Sequence, residues 1–396
     1  MKHATSMSRI ALASRLIVQV AAIVLLTKPV SGQASEFFPR LELQQAYTSD
    51  LDYAGDTEES TTRTSVILGL PFRREAPGGS IWELSYRGRL DRYGAFSQLD
   101  HAEHGARLAW STAPNTLTGV SVETTYAMTQ EQGNPDTDTQ FLSRRTELSS
   151  LKARIGVERR LSPRWVGSTT AAASRSDLAN IAGFDPNITE NDLEDRSTYG
   201  IGFGAKHASS ERTQLGLKAS YRHFRPDLHD DENVYQAAFT ADRLLRRNAS
   251  FGFELGAYSR RSDVRTIGGL HGALSLSGTL ERSAFNLSLS HGASAGTTLV
   301  GTSTDTKIQL GFSARASRDW SWSVRSHYAL REPTSSDVSD VRTVGLTLGL
   351  EWRATRKLAF AVRSSFVEQE ADDPTFDTSI ATATAGLVWY PKSFAQ

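Results

Sequence analysis

Trp320, Trp322, Val324, Tyr328 and Leu330 fall on even positions, while Ser321, Ser323, Arg325, His327 and Arg331 fall on odd ones. Past a polar stretch from Glu332 to Asp340, which contains Pro333, the alternation resumes. There Val344, Leu346, Leu348, Leu350 and Trp352 alternate with Thr343, Gly345, Thr347, Gly349 and Glu351. A period of two places each set on one face of an extended strand. An apolar face of about ten residues has to be covered, and a second sheet would serve in a soluble sandwich. Both ends of this face carry Trp or Tyr, whose rings suit a boundary between hydrocarbon and water. The stretch therefore predicts one hairpin of a transmembrane β-barrel.

The rest of the chain repeats the pattern. Alternating segments run from Arg40–Thr48 to Ser379–Tyr390, and we count about eighteen of them, with sixteen as the alternative. Every second connection is short, as at Ala113–Asn115, Ser162–Arg164, Glu281–Ser283, Ser317–Asp319 and Thr355–Lys357. The others are longer, as at Asp50–Ser60, Glu131–Leu142, Ser176–Asp195 and Glu368–Asp377. Short periplasmic turns and long outer loops are the expected asymmetry of outer-membrane barrels. The aromatic residues give an independent check. Trp82, Trp165 and Trp320 open segments at the short-turn end, Trp110, Trp352 and Trp389 close segments there, and Trp322 lies just inside. Tyr47, Tyr126, Tyr199, Tyr221, Tyr235 and Tyr328 mark the opposite end. A soluble sandwich has no reason to sort Trp from Tyr by strand end, whereas membrane aromatic girdles do.

Residues 1–34 read as a secretory signal peptide. Lys2, Arg9 and Arg15 precede an apolar core from Leu16 to Leu26, and Gly32–Gln33–Ala34 offers small residues for cleavage after Ala34. Residues 35–396 then form a single barrel domain with the N-terminus in the periplasm. Mean hydropathy is negative, which excludes a helical membrane protein but not a barrel whose inner half is polar. The absence of Cys rules out disulfides and thiolate metal sites. With 44 basic and 44 acidic side chains, no bulk charge favours nucleic acid.

With a signal peptide, a continuous run of amphipathic strands and no plug domain, the chain resembles the outer-membrane β-barrel porins of Gram-negative bacteria. In style it is most similar to the porin-like barrels found with exopolysaccharide export systems. The likeness is architectural, without a signature motif. It implies a channel for hydrophilic solutes serving export of a polysaccharide, with an anionic polymer as one candidate. The implied partners are outer-membrane lipid and lipopolysaccharide, the barrel-assembly machinery and a periplasmic polysaccharide-export complex. One departure is that Leu387, Trp389 and Tyr390 are followed by Pro391 to Gln396, where such barrels usually end on an aromatic residue.

Inward parity places Arg87, Arg89, Arg107, Lys152, Arg154, Lys218, Arg222 and Arg325 in the lumen, with Arg63, Lys307, Arg315 and Arg363. Opposed to them are Glu83 and Glu123, with Asp91, Glu103, Glu158, Glu254 and Glu351. A basic excess in a low-dielectric tube favours anions; a ladder of cross-strand ion pairs would instead only hold register. The outer loops are acidic at Asp50–Glu59, Asp185–Asp195 and Asp227–Glu232. They suit divalent ions bridging to lipopolysaccharide, or simple solvation. The loop Ser176–Asp195, with Leu178, Ile181 and Phe184, is a candidate constriction or an ordinary loop tip.

No catalytic constellation emerges. Gly292–Gly296 matches the G-x-S-x-G expression but leaves a strand for a loop, whereas that motif needs a strand-to-helix turn. His101 and His104 fall on opposite faces of one strand. Gly200, Gly202 and Gly204 line one strand face and are no phosphate loop. The expectation is a non-enzymatic channel without cofactor or metal. The alternatives are an outer-membrane enzyme of the lipase or protease kind, or a structural or adhesin barrel.

Overall fold

Extended backbone points each peptide N–H and C=O sideways, so alternating segments need partners on both edges. The computed structural model describes residues 35–49, 60–76, 78–94, 100–112, 117–131, 146–180, 195–227, 231–246, 248–263, 265–294, 303–333, 340–371 and 378–390. Among the described residues there are only strands, turns and bends. The strands are β1 (Ser35–Phe37), β2 (Arg40–Ser49), β3 (Thr61–Glu75), β4 (Ile81–Tyr93), β5 (His101–Ser111), β6 (Thr118–Glu131) and β7 (Thr146–Arg160). They continue as β8 (Trp165–Asn180), β9 (Arg196–Ser210), β10 (Thr213–Pro226), β11 (Glu232–Arg246), β12 (Ala249–Arg261) and β13 (Thr266–Thr279). The series ends with β14 (Ser283–Ser294), β15 (Ser303–Arg315), β16 (Trp320–Pro333), β17 (Val341–Arg353), β18 (Leu358–Ala371) and β19 (Thr378–Trp389).

Strands β2 to β19 each pair antiparallel with their neighbours in sequence. The last returns to the first, from Ala381↔Ser49 to Trp389↔Leu41. The sheet is a closed up-and-down barrel of eighteen strands, so no long edge is left to pair with another chain. β1 stands outside this circuit. It pairs with the end of β3 that β2 does not reach, at Ser35↔Arg74 and Phe37↔Phe72.

The strand count agrees with the eighteen expected segments and excludes sixteen. What differs is length at the loop end. The segment expected over Ala249–Ser259 continues to Arg261, and the one expected to begin at Lys307 begins at Ser303. The proposed signal segment, residues 1–34, lies outside the described residues.

The eight short connections gather at one end, between β3 and β4, β5 and β6, and so on to β17 and β18. Three share one device. The Ser162 hydroxyl accepts from the Trp165 amide at 3.2 Å, Ser317 from Trp320 at 3.2 Å and Thr355 from Leu358 at 3.1 Å. A hydroxyl that satisfies a backbone donor within its own turn favours that turn over continued strand. The β3–β4 turn is made differently, with Gly78 and Gly79 at φ of 94° and 81°, which other residues rarely adopt.

Burial is inverted relative to a soluble domain. Among the described residues forty-three large hydrophobic side chains are exposed, while only eleven hydrophobic residues are buried. The exposed set follows outward parity, as at Leu346, Leu348 and Leu350 on β17. The fold thus covers its backbone and leaves its apolar surface for an outside partner.

The closing seam can be tested without background, because the chain has no Cys. Gln45 and Ala385 are direct cross-strand partners. Gln45→Cys with Ala385→Cys is expected to form a disulfide under mild oxidation, seen as a mobility shift on non-reducing gels. Gln44→Cys with Ala385→Cys, whose side chains point to opposite faces, is expected not to. Equal cross-linking of both pairs would contradict the register.

Candidate functional site

The interior of the barrel is the only enclosed polar surface of size among the described residues. A cavity of about 940 Å³ is lined by side chains from nine consecutive strands, β4 to β12. They include Glu83, Arg107, Glu123, Arg154, Lys218 and Glu254. A second cavity of about 690 Å³ lies on the facing wall at the short-turn end, lined among others by Arg315, Glu351 and Arg363. Both hold polar side chains at inward parity because each strand alternates.

Ion pairs run across the wall. Arg107 donates to Glu123 at 2.6 Å and to Glu83 at 3.2 Å, linking β4, β5 and β6. Lys218 donates to Glu254 at 2.8 Å, and His271 meets the same carboxylate at 3.0 Å. Near the loop end, Asp91 is almost fully buried beside Arg89 at 2.8 Å and His101 at 3.5 Å, with Arg63 at 3.8 Å. Glu103 closes that network on Arg89 and His101. Asp305 takes Arg331 through two nitrogens at 3.1 and 3.2 Å and also accepts from Ser303. Removing one partner of such a buried pair costs about 3–5 kcal/mol.

Other cations stand apart from these pairs. Arg87, Lys152, Arg154 and Arg363 are exposed, and among the described residues none has a carboxylate within ion-pair distance. Arg87 lies opposite Gly69 on one side and Gly105 on the other, so no neighbouring side chain shields it. Arg222 runs along the wall, with a Cβ built at Gly200 only 3.3 Å from its Cγ. It reaches Gln236 at 3.5 Å and covers the Phe224 ring at 5.7 Å. Arg325, exposed, lines a further cavity with Ser277 and Gly311. Among the described residues Arg87, Lys152, Arg154 and Arg363 thus differ from Arg89, Arg107 and Lys218, which meet carboxylates, and Arg325 has an interaction of its own.

Sequence reasoning missed the place where the wall opens. β12 and β13 pair up to Arg261↔Thr266, and β14 and β15 up to Ser294↔Ser303. Between β13 and β14, however, pairing stops at Gly272↔His291. Above this point β14 and β15 contact β12 across the inner face of β13. The Arg260 guanidinium donates to the carbonyls of Ser294 at 3.2 Å and Ser303 at 2.9 Å. The Tyr258 hydroxyl meets Thr304 at 3.0 Å, and its ring lies over Gly269, where a Cβ would come within 2.5 Å of the hydroxyl. Arg260 is also 3.7 Å from Glu232. The described ends of β14 and β15 are thus tied to β12 across the inner face of β13. Arg260 and Asp305 sit just beyond the segment ends read from sequence, so extending the parity by two residues would have found them.

The expected constriction, Ser176–Asp195, lies mostly outside the described residues, as do the acidic residues of Asp50–Glu59. The two histidines of β5 separate as expected. His101 faces inward, and His104 faces outward, where the Tyr86 hydroxyl meets it at 2.8 Å. Among the described residues no group of His, Asp and Glu is placed to hold a metal. Ser294 of the G-x-S-x-G match offers its carbonyl to Arg260.

The outer aromatics form two levels. At the short-turn end Trp82 and Trp110 lie 6.1 Å apart, and Trp320 and Trp352 5.9 Å apart. Trp165 and Trp389 are exposed there. At the loop end Tyr221 and Tyr235 are 5.1 Å apart. Tyr221 also donates to Asn233 at 2.7 Å, and Tyr47 and Tyr199 are exposed. Tyr126 and Tyr328 are half-buried on β6 and β16. Tyr93 and Tyr258 depart from this level and point inward, where both are buried.

No protein-family model and no curated protein matches the chain. Solved structures with a similar trace include the outer membrane protein OpdK of Pseudomonas aeruginosa, at 14% identity and a TM-score of 0.46 over 89% of this chain and 99% of that one. A BenF-like porin from Pseudomonas fluorescens Pf-5 gives 11% and 0.48 over 91% and 100%. Pseudomonas aeruginosa OccK2 in complex with glucuronate gives 12% and 0.47 over 92% and 99%. At these values no residue role or solute carries over, and the architecture rests on the strand pairing itself.

The tie at Arg260 has a measurable consequence. Hydrogen bonds from a charged donor are worth about 1.5–3 kcal/mol each. Arg260→Ala is expected to raise amide hydrogen exchange at Gly292–Ser294 and Ser303–Asp305 roughly tenfold or more, leaving β6 and β7 unchanged. Equal exchange in both proteins would show that Arg260 does not hold the hairpin.

Proposed function

We propose that this barrel spans the outer membrane of a Gram-negative bacterium and conducts hydrophilic solutes, with a preference for anions. The observation that carries the reading is the combination of an apolar outer face between two aromatic levels with a polar lumen holding unpaired cations. An exposed apolar surface of this extent needs hydrocarbon around it, and strands of ten to sixteen residues match or exceed the roughly 9–11 needed to cross. Eighteen-strand barrels have room for an aqueous channel. Arg87, Lys152, Arg154 and Arg222 bias its field, because low-dielectric walls focus unbalanced charge into the tube.

Orientation with the short turns and the N-terminus in the periplasm belongs to the same proposal. So does the narrower role of serving polysaccharide export, which draws only on the architectural likeness to barrels of export systems. In that role the basic wall favours an anionic polymer, and the hairpin end held by Arg260 is the segment that must yield for a wide cargo. The mixture of paired and free charges speaks against a catalytic centre. Asp91, Glu103 and Glu254, the carboxylates that meet histidines on the inner wall, are also neutralised by Arg or Lys, and Asp231, which meets His223 at 3.4 Å, stands at the exposed loop end.

Purified protein in planar bilayers provides the test. Wild type is expected to conduct with anion preference in a salt gradient. Combined Arg87→Gln, Lys152→Gln, Arg154→Gln and Arg222→Gln should shift the reversal potential toward cations. Arg89 is left intact, because its removal would strand Asp91 and Glu103. Folded protein that does not conduct would end the channel reading, and cation preference in wild type would end the anionic one.

The tie at Arg260 adds a second expectation. Arg260→Ala should increase single-channel conductance, by about twofold if the hairpin end sets the narrowest passage in the electrostatically focused tube. Unchanged conductance with increased hydrogen exchange would place the narrowest point elsewhere.

A further inference from the structure

The short-turn end carries a second basic pattern, of which Arg282 and Arg318 also border the 690 Å³ cavity at the mouth of the lumen. Six consecutive connections, from β7–β8 round to β17–β18, each hold or adjoin an exposed arginine: Arg164, Arg212, Arg282, Arg318 and Arg356 in the turns, and Arg246 as the last residue of β11. The β3–β4 turn, residues 76–80, and the β5–β6 turn, residues 112–117, hold no basic residue. The arginines therefore form an arc over about two-thirds of the circumference. Glu211, Glu281 and Asp319 lie in the same turns, yet among the described residues none of the six arginines forms an ion pair.

Two observations say what the arc faces. First, the arginines flank the Trp level. Arg164 immediately precedes Trp165, Arg318 lies two residues before Trp320, and Arg356 lies four after Trp352. Second, the same turns expose large leucines at outward parity, with Leu161 and Leu280 each 64% exposed and Leu245 beside Arg246. Outward leucine, then tryptophan, then arginine is the order in which a surface leaves hydrocarbon and meets charged headgroups. An acidic protein docking on the turn tips would have no use for the leucines. The opposite end offers acidic residues instead, with Asp195, Asp227, Asp231 and Glu232 at the loop ends.

We propose that this arc is a seat for lipids of net negative charge, whose phosphates pair with the six arginines in the leaflet at the short-turn end. It rests on the membrane-spanning reading but not on channel activity. Bidentate donors suit phosphate oxygens, and a guanidinium gives up water more easily than an ammonium. The turns of β3 to β6 hold no arginine, and there Arg73 and Arg74 at the end of β3 are engaged beside β1 and Glu83. Anionic lipid is accordingly expected on one side of the barrel and not as a uniform ring. The acidic loop end and basic turn end would also fix which way the barrel lies in a bilayer of unequal leaflets.

All seven tryptophans lie at the short-turn end, so intrinsic fluorescence reports the lipid there. The full chain would be reconstituted in phosphatidylcholine vesicles containing brominated phosphatidylglycerol, or brominated phosphatidylcholine, at equal mole fraction. Wild type should be quenched more by the brominated phosphatidylglycerol, with a relative association constant on the order of fivefold, since each surface cation adds a modest increment. High salt should reduce this preference. The six-fold Arg→Gln variant should lose it, and the six-fold Arg→Lys variant should keep most of it, which separates charge from damage to the turns.

Equal quenching by the two lipids in wild type, or an unchanged preference in the Gln variant, would overturn the proposal while leaving the membrane reading intact. Quenching by neither lipid would overturn both. Retention of detergent-solubilised protein on polyglutamate beads, with no lipid preference in vesicles, would assign the arc to an acidic protein and also overturn it.

Discussion

Everything in this structure depends on backbone hydrogen bonds being closed in a circle. An antiparallel sheet of amphipathic strands has two edges, and each unsatisfied peptide group in an apolar surround costs several kilocalories. The pairing of β19 with β2 removes both edges at once. With the backbone satisfied internally, the outer face is free to be apolar along its whole height. A soluble fold could not leave Leu346, Leu348 and Leu350 exposed in a row, because nothing would cover them.

Closure also decides what the inner face can hold. Inward side chains of adjacent strands stand close, so unlike charges meet and like charges must be separated by small residues. Arg107 between Glu83 and Glu123 is the first case. Arg87 between Gly69 and Gly105 is the second. The same wall thus supplies rigidity where charges pair and a local field where they do not. The one departure from regular pairing, above Gly272↔His291, lets the end of the β14–β15 hairpin leave the wall. There Arg260 supplies a side-chain donor to the Ser294 carbonyl on the freed end of β14, and Tyr258 meets the Thr304 hydroxyl on β15.

The two ends of the barrel differ in kind. Turns of a few residues, closed by Ser162, Ser317 or Thr355, bring arginines next to the tryptophan level. At the other end the strands run past the tyrosine level and carry buried ion pairs such as Asp305–Arg331. Such pairs fix geometry more than they add stability, since burying charge costs much of what the pair regains. They belong where the positions of chain segments matter most.

Alternation alone located the barrel strands and their faces, because period two is a local property that survives without knowledge of neighbours; it left eighteen or sixteen strands open and missed β1, which the pairing decided. It placed Trp320 at one level and Tyr328 at the other, and it pointed Arg325 and His327 inward. It could not say that Arg89 is neutralised by Asp91 and Glu103 while Arg154, opposite Glu123 in register, has no carboxylate at ion-pair distance among the described residues, since that depends on which rungs of three strands coincide. Nor could it show that β13 and β14 part above Gly272. Residues near a strand end have weak alternation, and Arg260 and Asp305 lie there. Only the tertiary structure decided that Arg260 reaches across β13 to Ser294 and Ser303, because that contact joins strands that are not neighbours in the sheet.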